Sequence, residues 1–241
     1  MKNFFLVSLL LVGSCAVSQA APCVAGSLFS YAALGSTGCE VSAVNFSYFD
    51  LLVSTVVNAN NITSADITVT PTSGVNGPNL DFSANWAANS GLASSYTATL
   101  VFRAQSTAPL YLTGSNLATD VAHVGALGVA TVAEVNCLGG LLGGGSACLA
   151  GGVTANGVAT SSLATTQLSA AITPFNFPVT MIDVIKNITL TGGIGSNASL
   201  GHITEGFTTE TQAQATPEPS TMILLSSAVI ALACFRRMRK I

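Results

Sequence analysis

Hydrophobic and polar residues alternate with a period of two along much of the middle of the chain, the spacing that turns one face of a β-strand toward a core. In SYTATLVFRA, Tyr96, Ala98, Leu100 and Phe102 alternate with Thr97, Thr99, Val101 and Arg103. ADITVTP repeats the pattern, with Ile67 and Val69 on one side and Asp66, Thr68 and Thr70 on the other. In TMIDVIKNITLTGG, Ile182, Val184, Ile188 and Leu190 share a face, and Gly192-Gly193 marks the end of the strand. Asn76-Gly77-Pro78 and Asn156-Gly157 carry turn chemistry and are expected between such runs. Short strands separated by turns predict an all-β fold, an antiparallel, jelly-roll-like β-sandwich over residues 21–207.

The two ends break this alternation. Lys2 precedes a short apolar run from Phe4 to Val12, and Ser18-Gln19-Ala20 places small residues where signal peptidase inspects the chain. Residues 1–20 are therefore expected to be a signal helix, with Ala21 as the mature N-terminus and signal peptidase as a partner. Val12-Gly13-Ser14-Cys15 approximates a lipobox, the rival reading in which Cys15 is lipidated. At the other end, the polar stretch TTETQAQAT is expected to be a linker over 208–216.

Beyond that linker, Met222 to Phe235 forms an uninterrupted run of fourteen mostly apolar residues. As a helix it would reach about 21 Å, against a hydrocarbon core of roughly 30 Å. Its flanks decide the reading. Pro217 and Pro219 block a helix from extending backward, while Arg236, Arg237, Arg239 and Lys240 carry charge that no protein interior accepts unpaired. Their long side chains can reach outward and lengthen the span. The positive-inside rule keeps that cluster cytoplasmic, so it reads as a stop-transfer signal behind a single transmembrane helix in the inner membrane.

Pro217-Glu218-Pro219-Ser220-Thr221, the apolar run and Arg236-Arg237-Met238-Arg239-Lys240 follow in fixed order. Together they resemble the PEP-CTERM protein-sorting signal over residues 217–241. The resemblance implies that a membrane-embedded exosortase recognises the tail, cuts near Pro-Glu-Pro and passes the ectodomain to the envelope or extracellular matrix of an exopolysaccharide-producing Gram-negative bacterium. It also makes exopolysaccharide a candidate partner. Glycines common in such tails are replaced here by Ser226-Ser227. The chemistry fits: a Pro-Glu-Pro segment joins neither a helix nor a central strand and stays extended and reachable.

Composition narrows what the middle can do. The chain of 241 residues is 49% hydrophobic and only 7% charged, against roughly 25% charged for an ordinary soluble domain. Between Ala21 and Thr216 the acids are Glu40, Asp50, Asp66, Asp81, Asp120, Glu134, Asp183, Glu205 and Glu210, and the bases are Arg103 and Lys186, a net charge of −7. Such a domain should not seek nucleic acid.

Candidate chemistry is sparse. CLGGLLGGGSAC lacks the Gly-Lys-Ser/Thr of a phosphate loop and reads as a loop pinned by its cysteines. His123 and His202 lie outside any hydrolase motif, although triad members can converge from distant positions. Asp81 among Asn76, Asn79 and Asn85 is a weak calcium candidate without the D-x-D-x-D-G loop. Trp86 with Tyr96 and Tyr111 is a candidate sugar-stacking platform. No catalytic residue, metal or cofactor is expected. The expectation is a non-enzymatic envelope or biofilm protein, with a carbohydrate-binding module or adhesin and then a secreted hydrolase as alternatives.

Cys15 leaves with the signal segment and Cys234 lies in the apolar run, so the exported part keeps Cys23, Cys39, Cys137 and Cys148. Export permits disulfides. Of three connectivities, Cys23–Cys39 with Cys137–Cys148 is favoured, because each pair is close in sequence and encloses a Gly- and Ser-containing stretch.

Overall fold

A computed structural model of the protein describes residues 20–74, 77–89, 93–121, 123–124, 128–139, 154–161 and 167–211. Its strands are β1 (Ala21–Pro22), β2 (Gly26–Ser27), β3 (Cys39–Val41), β4 (Val44–Val57), β5 (Thr68–Gly74), β6 (Gly77–Ala88) and β7 (Ser94–Ser106). They continue with β8 (Leu110–Val121), β9 (His123–Val124), β10 (Val129–Leu138), β11 (Thr154–Ser161), β12 (Gln167–Val179), β13 (Met181–Gly192) and β14 (Ala198–Thr211). A short helix, α1 (Leu28–Ala32), is capped by the Ser27 hydroxyl, which accepts from the Ser30 amide.

The strands form two sheets, one in the order β1-β3-β4-β7-β13-β10-β11 and one in the order β12-β8-β14-β6-β5-β2, with β9 beside β14. Pairing is antiparallel throughout the main ladders; β1 runs parallel to β3. The result is sandwich-like. Residues with period-two spacing supply its interior: Ile67, Val69, Tyr96, Ala98, Leu100, Phe102, Ile182, Val184, Ile188 and Leu190 are all fully buried. Phe102 lies within ring-contact distance of Phe46, Phe49, Phe82 and Phe207, which come from both sheets.

Two sequence expectations change, at β11 and at the end of β14, whereas the break expected at Asn76-Gly77 falls where β5 ends at Gly74 and β6 begins at Gly77. Asn156-Gly157 is not a turn but sits inside β11, where Val135 pairs with Asn156 and Glu134 with Gly157. The ladder to β10 overrides local turn propensity there. Gly77 opens β6 with φ 139°, and the Phe207 carbonyl oxygen lies 2.1 Å from where a Cβ would stand, so that close backbone approach requires glycine. Finally, β14 runs to Thr211, into the stretch expected as linker, and Thr113 Oγ1 donates to Thr208 Oγ1 at 3.1 Å.

Among the described residues no helix is long and apolar enough to cross a membrane. The expected signal helix, the span from Met222 to Phe235, Pro217 to Thr221 and the terminal basic cluster all lie outside the described residues.

Candidate functional site

The sandwich interior holds a polar cluster that the alternation of its strands makes unavoidable. Along β13, Lys186 occupies the same inward register as Val184 and Ile188, and its side chain is completely buried. In β10, Glu134 and Asn136 continue the inward series of Ala130 and Val132. Glu205 lies between Ile203 and Phe207 on the inner side of β14, in the opposite sheet. Lys186 Nζ donates at 2.5 Å to Glu134 Oε2 and at 2.5 Å to Glu205 Oε2. Asn136 Nδ2 donates to Glu134 Oε1 at 2.6 Å and to Ser115 Oγ at 2.7 Å. Ser115, in β8, donates to Glu134 Oε1 at 3.1 Å.

These groups titrate as a unit. Burial pushes the Glu134 carboxyl up, but the Lys186 ammonium and hydrogen bonds from Glu205, Lys186 and Asn136 outweigh it and hold the group down to about 2. Burial and the Glu134 charge push Glu205 well above the usual carboxylate range. Burial pulls the Lys186 ammonium down, yet its two acidic partners raise it overall. The cluster thus favours a carboxylate at Glu134, an ammonium at Lys186 and a protonated carboxyl at Glu205. Asn136 Oδ1 and Glu205 Oε1 are buried without a hydrogen-bond partner.

In the sequence Glu134, Lys186 and Glu205 stand out only as charges, and Asn136 and Ser115 not at all. The available signal was positional: three strands place an ionisable group at an inward position, and the groups have opposite signs. A buried charge of that kind requires a partner.

A second ionic pair lies on the other face of β13. Arg103 Nε donates to Asp183 Oδ1 at 2.7 Å and its Nη2 to Oδ2 at 3.0 Å, a bidentate contact across the β7–β13 ladder. A bulge in β4 between Ser47 and Asp50 puts Tyr48 at φ 56° and brings its ring to 4.8 Å from the guanidinium carbon.

The other sequence candidates fall in separate places, Trp86 and Tyr96 in the core and Asp81 with His202 on a sheet face. Trp86 and Tyr96 are fully buried and cannot present a sugar-stacking surface, whereas Tyr111 is half-buried; the apolar faces of the first two fill the core instead. Asp81 accepts from Thr204 Oγ1 at 2.9 Å and contacts His202 Nδ1 at 3.0 Å, so its carboxylate is engaged on a sheet face where His202 is half-exposed. Among the described residues no group of three or more His, Cys, Asp and Glu side chains is arranged to hold a metal.

Cys23 and Cys39 form a disulfide with Cα atoms 4.8 Å apart. It walls an apolar cleft of about 360 Å³ lined by Pro22, Val24, Tyr31 and Leu34. Burial pushes the Tyr31 hydroxyl up to about 12, and it donates to the Val24 carbonyl at 2.8 Å. Cys137 is also disulfide-bonded, while its expected partner Cys148 lies outside the described residues.

Comparison with known proteins bears on the tail. Residues 215–240 match the family described as the PEP-CTERM protein-sorting motif. The chain carries a PEP-CTERM sorting signal. The match spans Pro217 to Thr221 and the basic residues Arg236, Arg237, Arg239 and Lys240. A PEP-CTERM signal implies processing by an exosortase and export to the cell envelope or extracellular surface. No curated protein matches the chain. Among solved structures, the enzymatically active domain of tailspike protein 4 from bacteriophage CBA120 is similar at 12% identity, over 66% of this chain and 19% of that one, with a TM-score of 0.29. Likeness at that level carries no argument about fold or activity.

Proposed function

We propose that this is a non-enzymatic structural protein of the cell surface or extracellular matrix, with a role in envelope or biofilm architecture. The observation that carries the reading is the PEP-CTERM signal on a chain whose folded part is a β-sandwich. In this reading, signal peptidase releases residues 1–20, and residues 222–235 hold the precursor in the inner membrane. The basic cluster stops transfer, and an exosortase then acts near Pro217-Glu218-Pro219. Exopolysaccharide is the surrounding polymer that the ectodomain would meet.

A jelly roll is the finer reading of the sandwich. Strand order supports it: β6-β14-β8-β12 faces β7-β13-β10-β11, so successive strands pass repeatedly between the sheets. The interior supports a structural role as well, because its largest side chains and its ionic cluster fill the core between the sheets and leave little to converge on a cleft.

Fractionation of the native host, with mass measurement of the mature protein, tests the proposal. The expected product begins at Ala21, ends near Pro-Glu-Pro and is recovered from the surface or medium. A full-length chain retained in the inner membrane would overturn it, as would a lipidated N-terminus at Cys15.

A further inference from the structure

Lys186 and Asn136 occupy neighbouring antiparallel strands. Glu134 pairs with Lys186 and Asn136 with Val184, so Asn136 and Lys186 are diagonal neighbours on one inward face. Glu134 holds both: one carboxylate oxygen accepts from Lys186 Nζ and the other from Asn136 Nδ2. Lys186 and Asn136 are completely buried, so water, the competing nucleophile, is excluded from the amide. Asn136 Oδ1 has no partner, although burying an unpaired amide oxygen is costly.

We propose that this cluster is a self-modifying site in which Lys186 and Asn136 join through an isopeptide bond between β13 and β10. A nucleophile, an acceptor amide and a carboxylate touching both are the groups that acyl transfer without a cofactor needs.

The Lys186 ammonium first passes a proton to Glu134. The neutral amine attacks Asn136 Cγ, forming the Nζ–Cγ bond and placing negative charge on Oδ1. That charge is balanced by the positive charge that Nζ acquires in the same step. Glu134 then gives its proton to Nδ2 and takes the surplus proton from Nζ. The Cγ–Nδ2 bond breaks and ammonia leaves. The products are a secondary amide, free ammonia and a protonated Glu134, so charge and atoms balance and no oxidant is used. The reaction replaces a buried ion pair with neutral groups.

Mass spectrometry of the full chain, after denaturation, reduction and alkylation, tests the bond. Arg103 and Lys186 are the only trypsin sites between Ala21 and Thr216. The expected wild-type result is a peptide starting at Ala104 that continues past Lys186, is lighter than its sequence by one ammonia, and fragments as a closed loop joining Asn136 to Lys186.

Glu134→Gln keeps the shape but removes the proton acceptor; its folded fraction should carry the full mass and be cut freely after Lys186. Lys186→Met should also have the full mass. If neither variant folds, the wild-type peptide still decides. An unmodified mass would overturn the proposal, and so would loss of one water, which would place the bond on a glutamate. Loss of ammonia with normal cleavage after Lys186 would also overturn it, marking a backbone succinimide at Asn136 instead.

Discussion

Glu134 and Glu205 both touch one ammonium, yet their carboxyls move in opposite directions: the Lys186 charge and hydrogen bonds hold Glu134 down against burial, while burial and the Glu134 charge push Glu205 up. Glu205, raised above its ordinary 4.5, retains a proton in the folded state at pH values where the unfolded chain has lost it. Stability therefore falls as pH rises from about 4.5 through the folded value, because the native state binds more protons. Glu205→Gln mimics the protonated acid and should remove that loss. Urea unfolding of both proteins across this range should show the variant gaining on wild type as pH rises; parallel curves would mean that Glu205 is ionised in the fold.

Arg103 tests a different residue-scale effect. Arg103→Met removes a bidentate partner from the fully buried Asp183 and should cost about 3 kcal/mol, measured by denaturant unfolding. A loss within about 0.5 kcal/mol, ordinary for a surface position, would show that the pair contributes little.

At the scale of elements, β7 and β13 were legible because each buries alternate side chains against one core. β4 was not. Its bulges at Ser47/Asp50 and Val53/Thr55 each insert one residue, the first reversing the faces and the second restoring them, and Leu52, Val53, Val56 and Val57 are all substantially exposed. β11 escaped because Asn156-Gly157 has the chemistry of a turn, and only pairing with β10, invisible in one sequence, extends it. The polar cluster was partly legible. Lys186 continues the period of Ile182, Val184, Ile188 and Leu190, but its partners come from β10 and β14, and nothing local in the sequence pairs those strands with each other.

The Cys23–Cys39 disulfide ties the residue after the short β1 to β3 across a sequence separation of 16. Chain entropy suggests about 3 kcal/mol for a loop of that size. The Cys23→Ser/Cys39→Ser double variant should be destabilised by that order under oxidising conditions, with Cys137 left untouched. Matching denaturation midpoints would show that the neighbouring packing of α1 and β4 already fixes this corner.

At the scale of the whole molecule, folding and sorting are encoded in separate stretches and can be broken separately. The sandwich draws its core from residues between Leu28 and Phe207, whereas the matched sorting motif occupies 215–240. Replacing Arg236, Arg237, Arg239 and Lys240 with glutamine should therefore leave the β-fold intact, as read by circular dichroism. It should also remove the charge that resists translocation, so the inner-membrane precursor is lost. Replacing Pro217-Glu218-Pro219 with alanines should act in the opposite direction. Without the prolines a helix can extend through the recognition segment, so the chain should accumulate in the membrane at precursor mass. Mature mass and the membrane-to-extracellular ratio in the native host separate the two variants. If the alanine variant were shortened and exported like wild type, Pro-Glu-Pro would not be the determinant of processing.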